Sequence, residues 1–142
     1  MRLITLIICL IMLNSCASNT FTQQGIDIDD PRSYSRIKSD SVLKHSIALG
    51  LNHSIVFLSL DGEWLGNFWS KHGAPLDLIV TPGNHTVSFR YHHYYSTAEN
   101  CFEFEAKPSK TYVIRKNIGE KSVLFWLEDD TGLEQPFKEC GE

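Results

Sequence analysis

The chain carries no catalytic signature. It has no G-x-S-x-G nucleophile elbow, no H-E-x-x-H zinc motif, no phosphate-cradling P-loop and no G-x-G-x-x-G dinucleotide turn. Each absence removes the enzyme class that rests on that motif. Positive charge is also scarce: 13 Lys and Arg stand against 17 Asp and Glu, a formal net charge of −4. That balance argues against nucleic acid, which needs a basic footprint, and against a polybasic contact with anionic lipid. There is no C-x-x-C pair, so a thioredoxin-like redox role has no support. Internal repeats and low-complexity segments are missing. So is any run long enough to span a bilayer, whose core of about 30 Å requires about 20 apolar residues. The longest run, from Leu3 to Leu13 with Thr5 as its one interruption, is about eleven residues or roughly 16 Å as a helix.

That short run suits a different task. Arg2 gives it a positive start, and its length is that of the apolar region of a secretory signal. It ends in Leu13-Asn14-Ser15-Cys16, which resembles the lipobox of bacterial lipoproteins. Asn14 is the one departure, since a smaller or aliphatic residue is commoner there. The resemblance implies that residues 1–15 are cleaved as a signal peptide and that Cys16 takes a diacylglycerol on sulfur. It also implies that the new amino group is acylated, for instance by palmitate. More than one acyl chain makes stable anchoring in the membrane possible. Ala17 is not the Asp that holds members of this family in the inner membrane, so the resemblance implies an outer-membrane anchor facing the periplasm. The alternatives are an uncleaved leader and a plain secretion signal with an incidental cysteine.

After cleavage about 127 residues remain, enough for one domain. Without Arg2 the count is 12 basic against 17 acidic side chains, a formal charge of −5. Cys9 leaves with the leader and Cys16 takes the lipid. Cys101 and Cys140 remain, a pair expected to join as a disulfide in an oxidising compartment. Two buried free thiols or a metal pair are the alternatives.

Residues 16–34 are polar, hold one Gly and one Pro and show no sustained apolar period. They read as a lipidated tether, with the alternative that a part near Gly25 to Asp30 packs on the domain. From residue 35 to Gly50 the signals conflict. Ser39-Asp40-Ser41 could cap a short helix carrying Val42, Leu43 and Ile47, which is weakly favoured over a strand. Beyond Asn52 the pattern is strands between turn residues. Ile55–Leu60 is followed by Asp61-Gly62, a hairpin signal because both residues accept positive φ. Strands follow at Glu63–Trp69, Leu76–Thr81 and Thr86–Tyr91, with Thr81-Pro82-Gly83-Asn84 expected as a type II turn. Phe102–Ala106 and Thr111–Asn117 alternate apolar and polar residues. Ser122–Glu128 is apolar on both faces, as in a central strand. The expectation is an all-β domain over residues 35–142, a small seven-stranded antiparallel β-sandwich.

Asp61 and Gly62, then Pro82, Gly83 and His85, then Lys110 and Tyr112 mark turns and strands that look like those of PEGA-type modules and other envelope-lipoprotein β-domains. The resemblance covers about Ile55 to Asn117 and implies a small β-sandwich without known catalysis. Ser109 stands where such domains often carry Gly before the Lys. His85 is expected to be structural, bonding a backbone carbonyl. His92-His93, within the segment Tyr91–Tyr95, could hold a transition metal with His53 or Glu103. However, strand neighbours point to opposite faces, and an exposed aromatic loop is the favoured reading. Trp64, Phe68 and Trp69 are expected to fill the core, or else to contact a glycan or protein. Glu128-Asp129-Asp130 reads as a solvated turn rather than a Ca²⁺ loop. The residues thus point to a non-catalytic binding or structural module with no catalytic residue, cofactor or resident metal. Its partners are the membrane, through the lipid, and an envelope protein or glycan, with no nucleic acid. A metal-binding module built on His92 and His93 is the first alternative and an envelope enzyme the second.

Overall fold

The computed structural model describes residues 20–40, 53–66, 74–93 and 96–141. These form an all-β structure with strands β1 (Thr20–Thr22), β2 (Ser35–Ser39), β3 (Ser54–Leu60), β4 (Glu63–Trp64) and β5 (Asp77–Val80). The later strands are β6 (Gly83–His93), β7 (Ser96–Ala106), β8 (Thr111–Ile118), β9 (Val123–Asp129) and β10 (Lys138–Glu139). Two five-stranded sheets result, one in the order β1-β5-β2-β8-β9 and the other β10-β7-β6-β3-β4.

Period-two alternation gives each strand one apolar face. In β6 it buries His85, Val87, Phe89 and Tyr91 and leaves Thr86, Ser88 and Arg90 outside. The inward residues of both sheets meet in one core: Ile37, Leu78, Val80, Tyr112, Ile114 and Leu127 from the first sheet, and Ile55, Phe57, Val87, Phe89, Phe102 and Phe104 from the second. Aromatic rings cross between the layers. Phe89 of β6 meets Phe125 of β9 edge-on at 5.1 Å and Phe102 of β7 at 5.0 Å. Such offset geometry adds about 0.5–1.5 kcal/mol per pair to the burial itself.

The seven strands expected from the sequence are present as β3 to β9, but the described residues hold ten. β1 and β10 are edge strands of three and two residues, too short to show a period. β2 occupies the position where a helix or irregular lead-in was favoured, and the capped stretch after Asp40 lies outside the described residues. The first sheet is not purely antiparallel, since β1 pairs β5 in parallel and β2 pairs β8 in parallel, whereas every pairing in the second sheet is antiparallel. β9 is the edge of its sheet rather than a central strand, and Leu124 is 65% exposed on its outer face. Its apolar residues on both faces reflect surface hydrophobes, not double coverage.

From Thr20 on, the segment expected as a tether is part of the fold. Thr20, Phe21 and Thr22 align with Asp77, Leu78 and Ile79. Gln23 continues the pairing through its N–H to the Ile79 carbonyl, and its side-chain oxygen accepts from the Thr81 N–H at 3.0 Å. Asp30 caps a 3-10 turn at Pro31–Ser33. The buried Ser35 hydroxyl donates to the Lys107 carbonyl at 2.6 Å, which binds this segment to the β7–β8 turn.

The C-terminal tail is docked in three ways. Cys140 is joined to Cys101 with Cα atoms 5.4 Å apart. Lys138 and Glu139 add β10 to β7 opposite Glu103 and Phe102. Phe137 stacks on Phe102 at 4.0 Å and packs against the core, so the tail has an apolar reason to dock that its composition understated. Cys140→Ser should free the tail and lower stability by roughly 2–4 kcal/mol, as expected for opening a loop of this length. The far-UV circular dichroism should stay β-rich. Denaturant titration of the two proteins, with thiol counting on the unreduced parent, checks both points.

Candidate functional site

Two polar clusters interrupt the core's apolar lining. The first sits where the chain passes from β5 in one sheet to β6 in the other. The Asp61-Gly62 turn has φ of 51° and 83°, the double positive φ of a tight hairpin turn. Gly83 supplies the other positive φ, 140°, but β6 begins on it. The corner therefore switches sheets instead of closing a hairpin. His85, almost fully buried, joins the two turns. Its Nδ1 lies 2.8 Å from Asp61 Oδ2 and its Nε2 lies 2.6 Å from the Thr81 carbonyl oxygen. Asp61 Oδ1 accepts the Thr86 N–H as well. The expected structural role is borne out, with a carboxylate partner added from the neighbouring hairpin.

The second cluster closes the opposite end of the core. His53, just before β3, stacks on His93 at the end of β6, with ring centroids 4.0 Å apart. His53 Nδ1 is 2.5 Å from the Tyr91 hydroxyl. Lys116 of β8 points inward with only 5% of its side chain exposed, and its Nζ donates to the Asp40 carbonyl oxygen. The Asp40 carboxylate lies between Lys116, at 3.6 Å, and Arg115, at 3.5 Å. Burial, then the neighbouring His93, then the Lys116 charge hold His53 below the usual histidine range. Burial pushes the Tyr91 hydroxyl up. A neutral imidazole thus accepts from a protonated phenol. The two groups engage each other, and the cluster forms a polar plug at this end of the core whose charge depends on acidity.

The other singled-out residues are dispersed. His92 and His93 lie in β6 itself, not in a loop, and neighbouring strand positions face opposite ways. Glu103 pairs with Thr86, far along the same ladder from His92. His92 is lowered by burial and by Arg90, against the opposing pull of Glu99. Among the described residues no group of three or more His, Cys, Asp or Glu is placed to hold a metal ion. Trp64 is 55% exposed rather than in the core, while Phe68, Trp69, Tyr94 and Tyr95 lie outside the described residues. Glu128 and Asp129 end β9 rather than forming the expected turn, which opens only at Asp130, and their carboxylates are engaged internally. Glu128 accepts from Trp126 Nε1 and Arg115 Nε, and Asp129 accepts from Thr131, Leu133 and Gln135.

Sequence reasoning missed Lys116 and Asp40. Lys116 shares the inward parity of Tyr112 and Ile114, and a lysine at an inward position was the available signal. No family model matches the chain, and no curated protein or solved structure matches it.

His85→Ala should cost about 2–4 kcal/mol. It opens a buried cavity and leaves Asp61 and the Thr81 carbonyl short of a donor. Denaturant titration against the parent checks the value. For His53 the sign follows from linkage. Its proton affinity is lower in the folded chain than its ordinary 6.5, so the unfolded chain binds more protons in that window and stability rises with pH there. Stability should therefore fall as the pH drops through the unfolded value of about 6.5, and the loss should level off once the pH is below the lowered folded value. His53→Gln should reduce this slope, leaving the share that comes from His92, which is lowered as well. An unchanged slope would remove His53 as its source.

Proposed function

We propose that the chain is a lipid-anchored lipoprotein of the cell envelope, acting as a non-catalytic binding or structural module. The observation that carries this is the accounting of cysteines. Cys101 and Cys140 join each other. Cys16, at the end of a short apolar leader and a Leu-Asn-Ser-Cys box, is then the one cysteine of the mature chain left for a lipid. The disulfide fits an exported protein, and Ala17 favours the outer membrane facing the periplasm. The two sheets with their common core are read as a β-sandwich of the kind found in envelope modules. Asp61-Gly62, Gly83 and the left-handed Ser109, with φ of 61° at a position where related turns carry Gly, support the likeness to PEGA-type domains. So does Tyr112, whose hydroxyl accepts the Lys107 N–H at 2.9 Å and fixes the turn before Lys110.

The non-catalytic reading is supported by the internal engagement of His53 and His85. The exposed Trp64 offers an indole face to an envelope protein or glycan. Cys16→Ser should abolish labelling of the protein by a fatty acid analogue and leave the leader uncleaved. A variant that matures and sediments with membranes like the parent would overturn the anchor.

A further inference from the structure

The register shows which end of the sheets faces the anchor. Thr20 aligns with Asp77, Asp77 with Lys38, and Lys38 with Val113. These four residues form one level across β1, β5, β2 and β8. β1 enters the sheet at this level, and the four residues from Cys16 to Thr20 can span at most about 14 Å. On the same side of this level β8 continues from Val113 to Ile118 and turns back into β9, with Gly119 N–H donating to the Ser122 carbonyl at 2.8 Å. Five residues of strand extend roughly 17 Å. β8 lies one strand from the middle of the sheet, so a right-handed twist of about 20–25° per strand leaves about 16 Å of that reach along the mean strand direction. The β8–β9 hairpin thus projects at least as far as a fully stretched link to Cys16, and any slack brings its tip to the surface where the lipid sits.

The tip suits that surface. Ile118 and Val123 are cross-strand partners on one face of the hairpin, and Leu124, opposite Asn117, lies on the other. Ile118 is 45% exposed and Leu124 more so, and they are two of the five large hydrophobes exposed among the described residues. Glu120 and Lys121 between them cancel in formal charge. A tip without net charge, flanked by exposed apolar side chains, can enter the headgroup boundary without opposing an anionic bilayer.

We propose that the β8–β9 hairpin is a second membrane contact, with Ile118 and Leu124 seated in the lipid interface beside the acylated Cys16. This rests on the anchor reading above. The domain then stands on the bilayer at a fixed orientation, its Asp61-Gly62 and Lys107–Lys110 turns pointing away.

The test uses the full acylated protein in vesicles of equimolar phosphatidylethanolamine and phosphatidylglycerol. An environment-sensitive fluorophore is placed at Ser122→Cys or, as the distal control, at Lys107→Cys. A lipid-borne spin label should quench the fluorophore at position 122 several-fold more than the one at 107. Ile118→Asp with Leu124→Asp should bring quenching at 122 down to the level at 107 while the protein stays vesicle-bound and β-rich. If that pair disturbs folding, Leu124→Ser alone should lower the quenching at 122. Equal quenching at both positions in protein whose mass proves Cys16 acylated overturns the hairpin contact and leaves the anchor standing. A mass without acyl chains overturns the anchor, and the hairpin contact with it.

Discussion

Neither sheet can bury its apolar face alone. Side chains alternate along every long strand, so each sheet has one face that must be covered, and each supplies the cover for the other. The contact of Phe89 with Phe125 across the layers is the local form of this constraint. Most other features answer to it. The strand ends are closed by polar clusters, the corner between sheets is made by residues that tolerate positive φ, and the first and last of the described strands lie at sheet edges.

The two polar clusters differ in kind. At the sheet-switching corner, His85 holds two turns together through a carboxylate and a carbonyl, both fixed by backbone geometry. At the other end, His53, Tyr91, His93 and Lys116 meet where β3, β6 and β8 converge. The first is a clasp with short, directed bonds. The second gathers several groups that can carry positive charge in a partly desolvated space, and Asp40 is the acid that balances the lysine. Both lie at element ends, where a β-protein has unpaired backbone to satisfy.

Legibility in the sequence followed element length. Segments such as Val87–Tyr91 and Phe102–Ala106 show enough alternation to be read as strands, and the Asp61-Gly62 turn declares itself by its residue types. The Cys101–Cys140 pair was legible through arithmetic alone. β2 was obscured because Ser35-Arg36-Ile37-Lys38-Ser39 places one aliphatic residue among polar ones, and its burial depends on partners far along the chain. β1 and β10 carry too few residues for any period. Ser122–Glu128 misled for the opposite reason: its apolar outer face suggested coverage, whereas Leu124 is exposed. The stacking of His53 on His93 joins residues 40 positions apart, which no local pattern reports.

The placement of β2 has a consequence for how the chain reaches its fold. It lies between β5 and β8, with Ile37 aligned to Leu78 on one side and to Tyr112 on the other. A ribosome delivers residues from the N-terminus at about 5–20 per second. The early strand therefore waits several seconds for its first neighbour and longer for its second. Loop closure over such separations must come before the contacts that reward it, which slows assembly of the first sheet. Until β8 emerges, the N-terminal segments have edges but no completed layer. The β3–β6 pairing of the second sheet needs nothing beyond residue 93, so the order of synthesis makes the second sheet the earlier of the two to find its partners and the first the later.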